Sequence, residues 1–364
     1  MSINDIILYI MVGFMVLGAV DKIIGNKFGL GEKFEEGIMA MGALAVAMVG
    51  VIALAPVLKN VLSPVIVPIY TALGADPAMF ATTLLANDMG GYPLAMELAL
   101  TPEAGKFAGL ILGAMMGPTI VFTIPVALGI ISKDDHKALA KGILAGLITI
   151  PFGCLAGGLV AGFEISMILA NLVPIIIVSL LLAVGLAIIP EKMINGFVWF
   201  GKGVVVVITA GLAIGIVQTL TPIVILKDMA PLSEGISIVG SIAIVLAGAF
   251  PMVHFITKVF SKPLMKMGKL LGMNDVSAAG FVATLANNIP MFGLMKDMDE
   301  RGKVINVAFA VSASFVLGDH LGFTAGVDKD MIFPMIVGKL VAGITAVIVA
   351  MFFLKLTEKK GIKA

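Results

Sequence analysis

Apolar residues run along this chain in blocks of about 18–24, and a helix needs about 20 of them to cross a hydrocarbon core. The pattern therefore predicts membrane spans rather than the helices of a soluble bundle. Blocks of full length fall at roughly 5–24, 37–58, 107–130, 141–162, 167–189, 203–222, 236–257, 304–324 and 332–354. Two stretches break the rule. Residues 76–100 and 275–299 are apolar at their ends but interrupted in the middle by Asn, Asp, Gly or Pro. A shorter apolar segment precedes each, at 60–74 and 259–273. The expected fold is an all-α integral membrane protein, one domain over 1–364. It has about nine full transmembrane helices plus two broken or re-entrant helical segments.

Composition agrees. The chain is 60% hydrophobic, with a mean hydropathy of +1.12 and only 13% charged residues. A soluble domain carries about 25%. The 42 glycines suit helices that approach closely through small residues. A net charge of +1 gives no basic footprint for nucleic acid. Cys154 is the one cysteine, set in an apolar run and expected as a small buried hydrophobe. It can form no disulfide within the chain and offers no structural zinc site. No Lys or Arg precedes the first apolar run, so 5–24 is expected as a retained span rather than a cleaved leader.

Lysine placement predicts orientation. With the N-terminus outside, nineteen basic residues fall in cytoplasmic segments, among them Lys22, Lys33, Lys133, Lys137, Lys141, Lys262, Lys266 and Arg301. Four remain external, Lys59, Lys106, Lys227 and Lys329, and Lys339 lies inside the last span. This bias favours N-out, C-in and an odd number of crossings.

An internal repeat is visible at an offset of about 200 residues. Leu85-Ala86-Asn87-Asp88 matches Leu285-Ala286-Asn287-Asn288, and Gly105-Lys106 matches Gly302-Lys303. Upstream, Glu36-Gly37-Ile38 matches Glu234-Gly235-Ile236, and Leu73-Gly74 matches Leu271-Gly272. Repeat 1 is placed at 36–190 and repeat 2 at 234–357. The loop at 98–106 is expected outside and its partner at 296–303 inside, so the copies are inverted. Inverted repeats are a recurrent plan of secondary transporters, with the substrate near the midplane where the copies meet.

The broken segments carry the candidate chemistry. Asp76-Pro77 reads as a helix start, and an arm from Ala78 to Ala86 reaches only to mid-membrane at about 1.5 Å per residue. Asn87-Asp88-Met89-Gly90-Gly91 then interrupts it, as Asn287-Asn288-Ile289-Pro290 interrupts the second copy. Two geometries fit: re-entrant hairpins, which we favour, or discontinuous spans with 60–74 and 259–273 also crossing. The lysines of 259–273 suit an amphipathic helix at the interface. The C-terminal end of each first arm presents free carbonyls and partial negative charge, which suits a cation. Asp88 adds a full charge, whereas Asn288 is neutral. Asn87, Asn287 and Asn288 can hydrogen-bond a hydroxyl. Met89, Gly90 and Gly91 complete the first break, the glycines allowing close approach to backbone. The alternative is that these groups only cap broken helices.

Asp319-His320 lies within another apolar block, where ionisable groups are costly and face a cavity or a partner. It is expected as a second cation contact or a proton-handling pair, or else Asp319 forms a structural ion pair with Lys339. Glu97 and Asp297 read as solvated ends, and Gln218, Thr219 and Thr221 as hydrogen-bonding groups between helices. One Trp and three Tyr are too few for an aromatic cage, which turns the expected ligand from a quaternary amine toward a primary ammonium. No metal, cofactor or enzyme constellation is expected.

Several longer strings are more specific: Phe34-Glu35-Glu36-Gly37 with Met39-Ala40-Met41-Gly42-Ala43, and Ala53-Leu54-Ala55-Pro56-Val57-Leu58. Asp88-Met89-Gly90-Gly91, Ala283 to Met291, and Gly318-Asp319-His320-Leu321-Gly322-Phe323-Thr324 join them. In these strings, and from Ile3 to the last span, the chain resembles the EutH family of bacterial ethanolamine-utilisation operons. The resemblance implies a carrier or facilitator of ethanolamine in the bacterial inner membrane; the expected partners are ethanolamine and the lipid bilayer, and a homo-oligomer is left open. It does not locate the binding site. A channel-like facilitator, and a non-transporting receptor or scaffold for utilisation proteins, are the alternatives.

Overall fold

The computed structural model describes residues 1–359. The first half comprises α1 (Ile3–Ile23), α2 (Leu30–Ala72), α3 (Ala78–Leu84), α4 (Gly91–Leu98), α5 (Pro102–Ile130) and α6 (His136–Val160). Two further long helices follow, α7 (Ile165–Ile188) and α8 (Pro190–Leu220). The second half comprises α9 (Leu232–Leu270), α10 (Asp275–Thr284), α11 (Asn288–Leu294), α12 (Glu300–Ala313), α13 (Asp319–Val327) and α14 (Ile332–Lys359). Among the described residues eight helices are long and apolar enough to cross a membrane: α1, α2, α5, α6, α7, α8, α9 and α14. Their outward faces carry large exposed apolar side chains such as Leu181, Val206 and Ile244. Hydrocarbon solvates such a surface and water does not.

The expected segments 60–74 and 259–273 are not separate helices. α2 runs unbroken for 43 residues and α9 for 39. At about 1.5 Å per residue α2 is about 65 Å long, twice the hydrocarbon thickness. Pro56, Pro64 and Pro68 lie inside it, each removing one rung of the helical ladder without ending it. In the last turns of α9 Lys262, Lys266 and Lys269 are exposed, while Gly268 packs on Ala278.

Both broken segments are hairpins, because each returns to where it began. The Asp76 carboxylate accepts from Ala78 N at 2.9 Å and from Leu100 N at 3.0 Å, stitching the two ends of the first. In the second, Asp299 accepts from Asn274 N at 2.9 Å and Ser277 Oγ at 2.7 Å. Burial pushes the Asp299 carboxyl up, but these bonds and one from Gly302 N outweigh it and hold it below the ordinary carboxylate range.

The eighth expected span, 304–324, is not one helix. α12 stops at Ala313 and α13 starts at Asp319. The backbone between them pairs with the second hairpin: Phe315 N donates to Thr284 O and Leu317 N to Leu285 O, at 3.3 and 3.0 Å. Phe315 has φ +63°, the left-handed region that non-glycine residues seldom occupy. α5 is irregular as well, with π turns at Phe107–Ile111 and Thr119–Thr123. Two glycines allow these contacts: a Cβ on Gly117 would lie 2.0 Å from Leu85 O, and one on Gly318 would lie 2.3 Å from Ala286 O.

α2 packs along α9, and α6 along α14. At the α2–α9 crossing Gly37 lies against Ala247, and Gly235 lies against Val49.

Candidate functional site

The tip of the first hairpin, the α2 face around Ala43, and the break before α13 enclose a cavity of about 220 Å³. Asp88 and Asp319 both line it, with Met89, His320, Phe122 and Phe315. Asp88 sits in the 3₁₀ turn Asn87–Met89, which forms because α3 ends in extended backbone at Leu85 and α4 restarts after Gly90 at φ +91°. Asp319 is the first residue of α13. Neither carboxylate makes an ion pair or a hydrogen bond with another described residue. Two half-buried carboxylates without protein partners are an arrangement for binding a cation.

Lys339 lies behind the chamber wall, against His320. It is 1% exposed, and its Nζ contacts the Ala114 carbonyl and, at 2.9 Å, His320 Nδ1. That carbonyl is available because Pro118, four residues on, has no N–H to offer it. An ammonium donating to Nδ1 requires the neutral Nε2–H tautomer of His320. The expected Asp319–Lys339 pair is therefore absent: the lysine is spent on the neighbouring histidine and on α5. Lys339 was conspicuous in the sequence as a lone lysine within an apolar span.

A second cavity, also about 220 Å³, meets the first at Asp319. Its walls carry Asn287, Glu36, Lys33, His254 and Thr257. Glu36 forms an ion pair with Lys33 one turn away. Asp319 thus stands between an inner chamber and a polar vestibule that leads to the exposed start of α2. Glu36 and His254 were not among the sequence candidates, since both lie near the ends of apolar blocks and read as ordinary solvated residues.

The other candidates scatter. Asn87 is fully buried, its Oδ1 accepting from Asp88 N, and it does not line the cavity. Its Nδ2 is without a partner. Asn288 is also fully buried and donates to Thr123 Oγ1 at 3.0 Å, tying the second hairpin to α5. Gly90 and Gly91 serve packing: a Cβ on Gly90 would lie 2.5 Å from Val51, and one on Gly91 2.5 Å from Leu85 O. Asn287 caps α11 through Ile289 N and faces the vestibule rather than the chamber. The structure thus gathers Asp88, Met89, Asp319 and His320 around one chamber, sets Asn287 beside it, and leaves Asn87, Gly90, Gly91 and Asn288 outside the lining of both cavities. Glu97 forms an ion pair with Lys59 at 3.1 Å, and Gln218 accepts from Ile225 N and Leu226 N. Among the described residues no group of three metal-ligating side chains forms.

Comparison with known proteins gives a consistent answer. The model of the family described as "Ethanolamine utilisation protein, EutH" matches residues 3–353. A protein of Listeria monocytogenes named "Probable ethanolamine permease EutH" is 72% identical over 360 residues, covering 99% of this chain and 96% of its own length. Proteins of the same name from Escherichia coli K12 and Salmonella typhimurium LT2 are 55% and 53% identical, covering 96% and 100% of this chain and 95% and 98% of their own. These names describe permeases, not enzymes. No solved structure matches the chain. Matched from Ile3 to Phe353 by the family's pattern and end to end by such relatives, the chain belongs to the EutH family.

Proposed function

We propose that the protein carries ethanolamine, as its protonated cation, across the bacterial inner membrane by alternating access. The observation that carries this is the pair of carboxylates without protein partners, Asp88 and Asp319, that line one chamber. With Asp88 and Asp319 ionised and Lys339 protonated, two negative charges face one positive, and the remaining single negative charge matches one ammonium. Desolvating an ammonium is costly, so a charged partner is needed, and the two free carboxylates supply it. The names of the relatives choose ethanolamine among small monocations. Asn287 stands in the vestibule beyond Asp319, where it can hydrogen-bond the hydroxyl of a departing substrate.

The architecture proposed is two inverted repeats, 36–190 and 234–357. Three features support it. The order of long helix, hairpin, irregular span and final helix occurs twice. The Gly37–Ala247 and Gly235–Val49 contacts are reciprocal at an offset of 198 residues, as a two-fold relation between α2 and α9 demands. Because hairpins add no crossing, α9 is the fifth crossing after α2 and runs opposite to it. With the N-terminus outside, as the lysine bias favours, the vestibule at Glu36 and His254 faces the cytoplasm and is the exit.

The test is Asp88→Asn in proteoliposomes. Saturable uptake of labelled ethanolamine should disappear while the melting temperature of the purified variant stays within a few degrees of the parent's. Full uptake by this variant would remove Asp88 from the mechanism. Counterflow distinguishes a carrier from a channel-like facilitator, since only a carrier speeds uptake when loaded with substrate on the far side.

A further inference from the structure

A third cavity, of about 800 Å³, lies apart from this route, where the start of α6 meets α7, α8 and the end of α5. One wall is basic: Lys133, His136, Lys137 and Lys141. The three lysines make no ion pair among the described residues. Of the nearby acids, Asp135 is taken by Lys303 at 2.7 Å and by Ser132 at 2.9 Å, and Asp134 does not line the cavity. Glu191 is the single acid facing in. Leaving His136 uncounted, the cavity therefore holds an excess of two positive charges. Leu128, Leu186 and Ile194 form the facing wall.

The position of these two walls narrows the ligand. The lysines sit where α6 begins, at the border of the membrane-spanning block, whereas Leu128, Leu186 and Ile194 belong to the spans themselves. Ile188 and Ile189, at the end of α7, are exposed beside them. A soluble anion would satisfy the lysines and leave the apolar wall bare. A molecule with an anionic head and an apolar tail covers both, and basic pockets between spanning helices suit such headgroups. We propose that this cavity binds an anionic phospholipid, its phosphodiester among Lys133, Lys137 and Lys141 and an acyl chain along Leu128, Leu186 and Ile194. The site is independent of the proposed transport chemistry and stands whether or not ethanolamine is the substrate.

The experiment titrates the purified full-length protein in detergent with phosphatidylglycerol, and separately with phosphatidylcholine of the same acyl chains, counting bound lipid by native mass spectrometry. One phosphatidylglycerol should be retained at concentrations about tenfold lower than phosphatidylcholine requires. Lys133→Gln, Lys137→Gln and Lys141→Gln together should erase that preference. Glu191→Gln should strengthen it about threefold, a gain that a misfolded variant cannot mimic. Equal retention of the two lipids, or an undiminished preference in the triple variant, would overturn the proposal. So would displacement of the lipid by millimolar inorganic phosphate, which would assign the lysines to a soluble anion.

Discussion

Asp88 and Asp319 line the inner chamber, and Lys339 stands behind its wall on His320. Lys339→Met removes the one cation and leaves both carboxylates facing the same space. A chamber of two negative charges prefers a dication. We expect 1,3-diaminopropane to compete with labelled ethanolamine about tenfold better in this variant than in the parent, about 1.4 kcal/mol. An unchanged competition ratio would mean that Lys339 does not act on the substrate's charge. The carboxylates were legible in the sequence because an acid within an apolar block is conspicuous. Asn87 and Asn288 were conspicuous for the same reason but do not line the chamber, Asn87 closing its own turn and Asn288 bonding Thr123. Nothing local separates an amide that binds a ligand from one that holds a hairpin. The partner of Lys339 was equally hidden, because it depends on Pro118 leaving a carbonyl open 225 residues away.

Hairpins and broken spans meet through backbone, and glycine permits the contact. Alanine at Gly117 or Gly318 would place a methyl carbon 2.0 or 2.3 Å from a carbonyl oxygen, with no flexible side chain to give way. Gly117→Ala and Gly318→Ala should each destabilise by about 1–3 kcal/mol. Gly129→Ala, which meets nothing within 4 Å, should be neutral in the same melting experiment. Equal melting temperatures for all three would show that the hairpin tips are not pressed against α5 and the α12–α13 break. The hairpins themselves were foreseeable, since Asn, Gly and Pro interrupt an apolar run twice. The break between α12 and α13 was not. Residues 314–318 contain no proline, and what unwinds them is pairing with Thr284 and Leu285 on another element. The continuity of α2 was missed for the converse reason: three prolines argue locally for an end that packing overrides.

At the level of the whole chain, inversion can be read from the two hairpin bases. With Cys154 replaced by alanine, Glu103→Cys should react with an impermeant maleimide only from outside the cell, and Lys296→Cys only after the inner face is exposed. Both positions are exposed at the protein surface. Labelling from one side alone would exclude inversion. Each half contributes one carboxylate, Asp88 from the first hairpin and Asp319 from the second broken span, and neither half could build the chamber by itself. Their sum has an electrical consequence. In the proposed mechanism a loaded chamber is neutral and crosses without sensing the membrane potential, whereas the empty one returns with one uncompensated negative charge. A potential negative inside acts on that return, by up to about 2.3 kcal/mol per 100 mV, and pushes the vacant site outward. The cell's voltage then resets the carrier rather than drawing in its cargo, and uptake runs fastest in an energised membrane even if no second ion is carried.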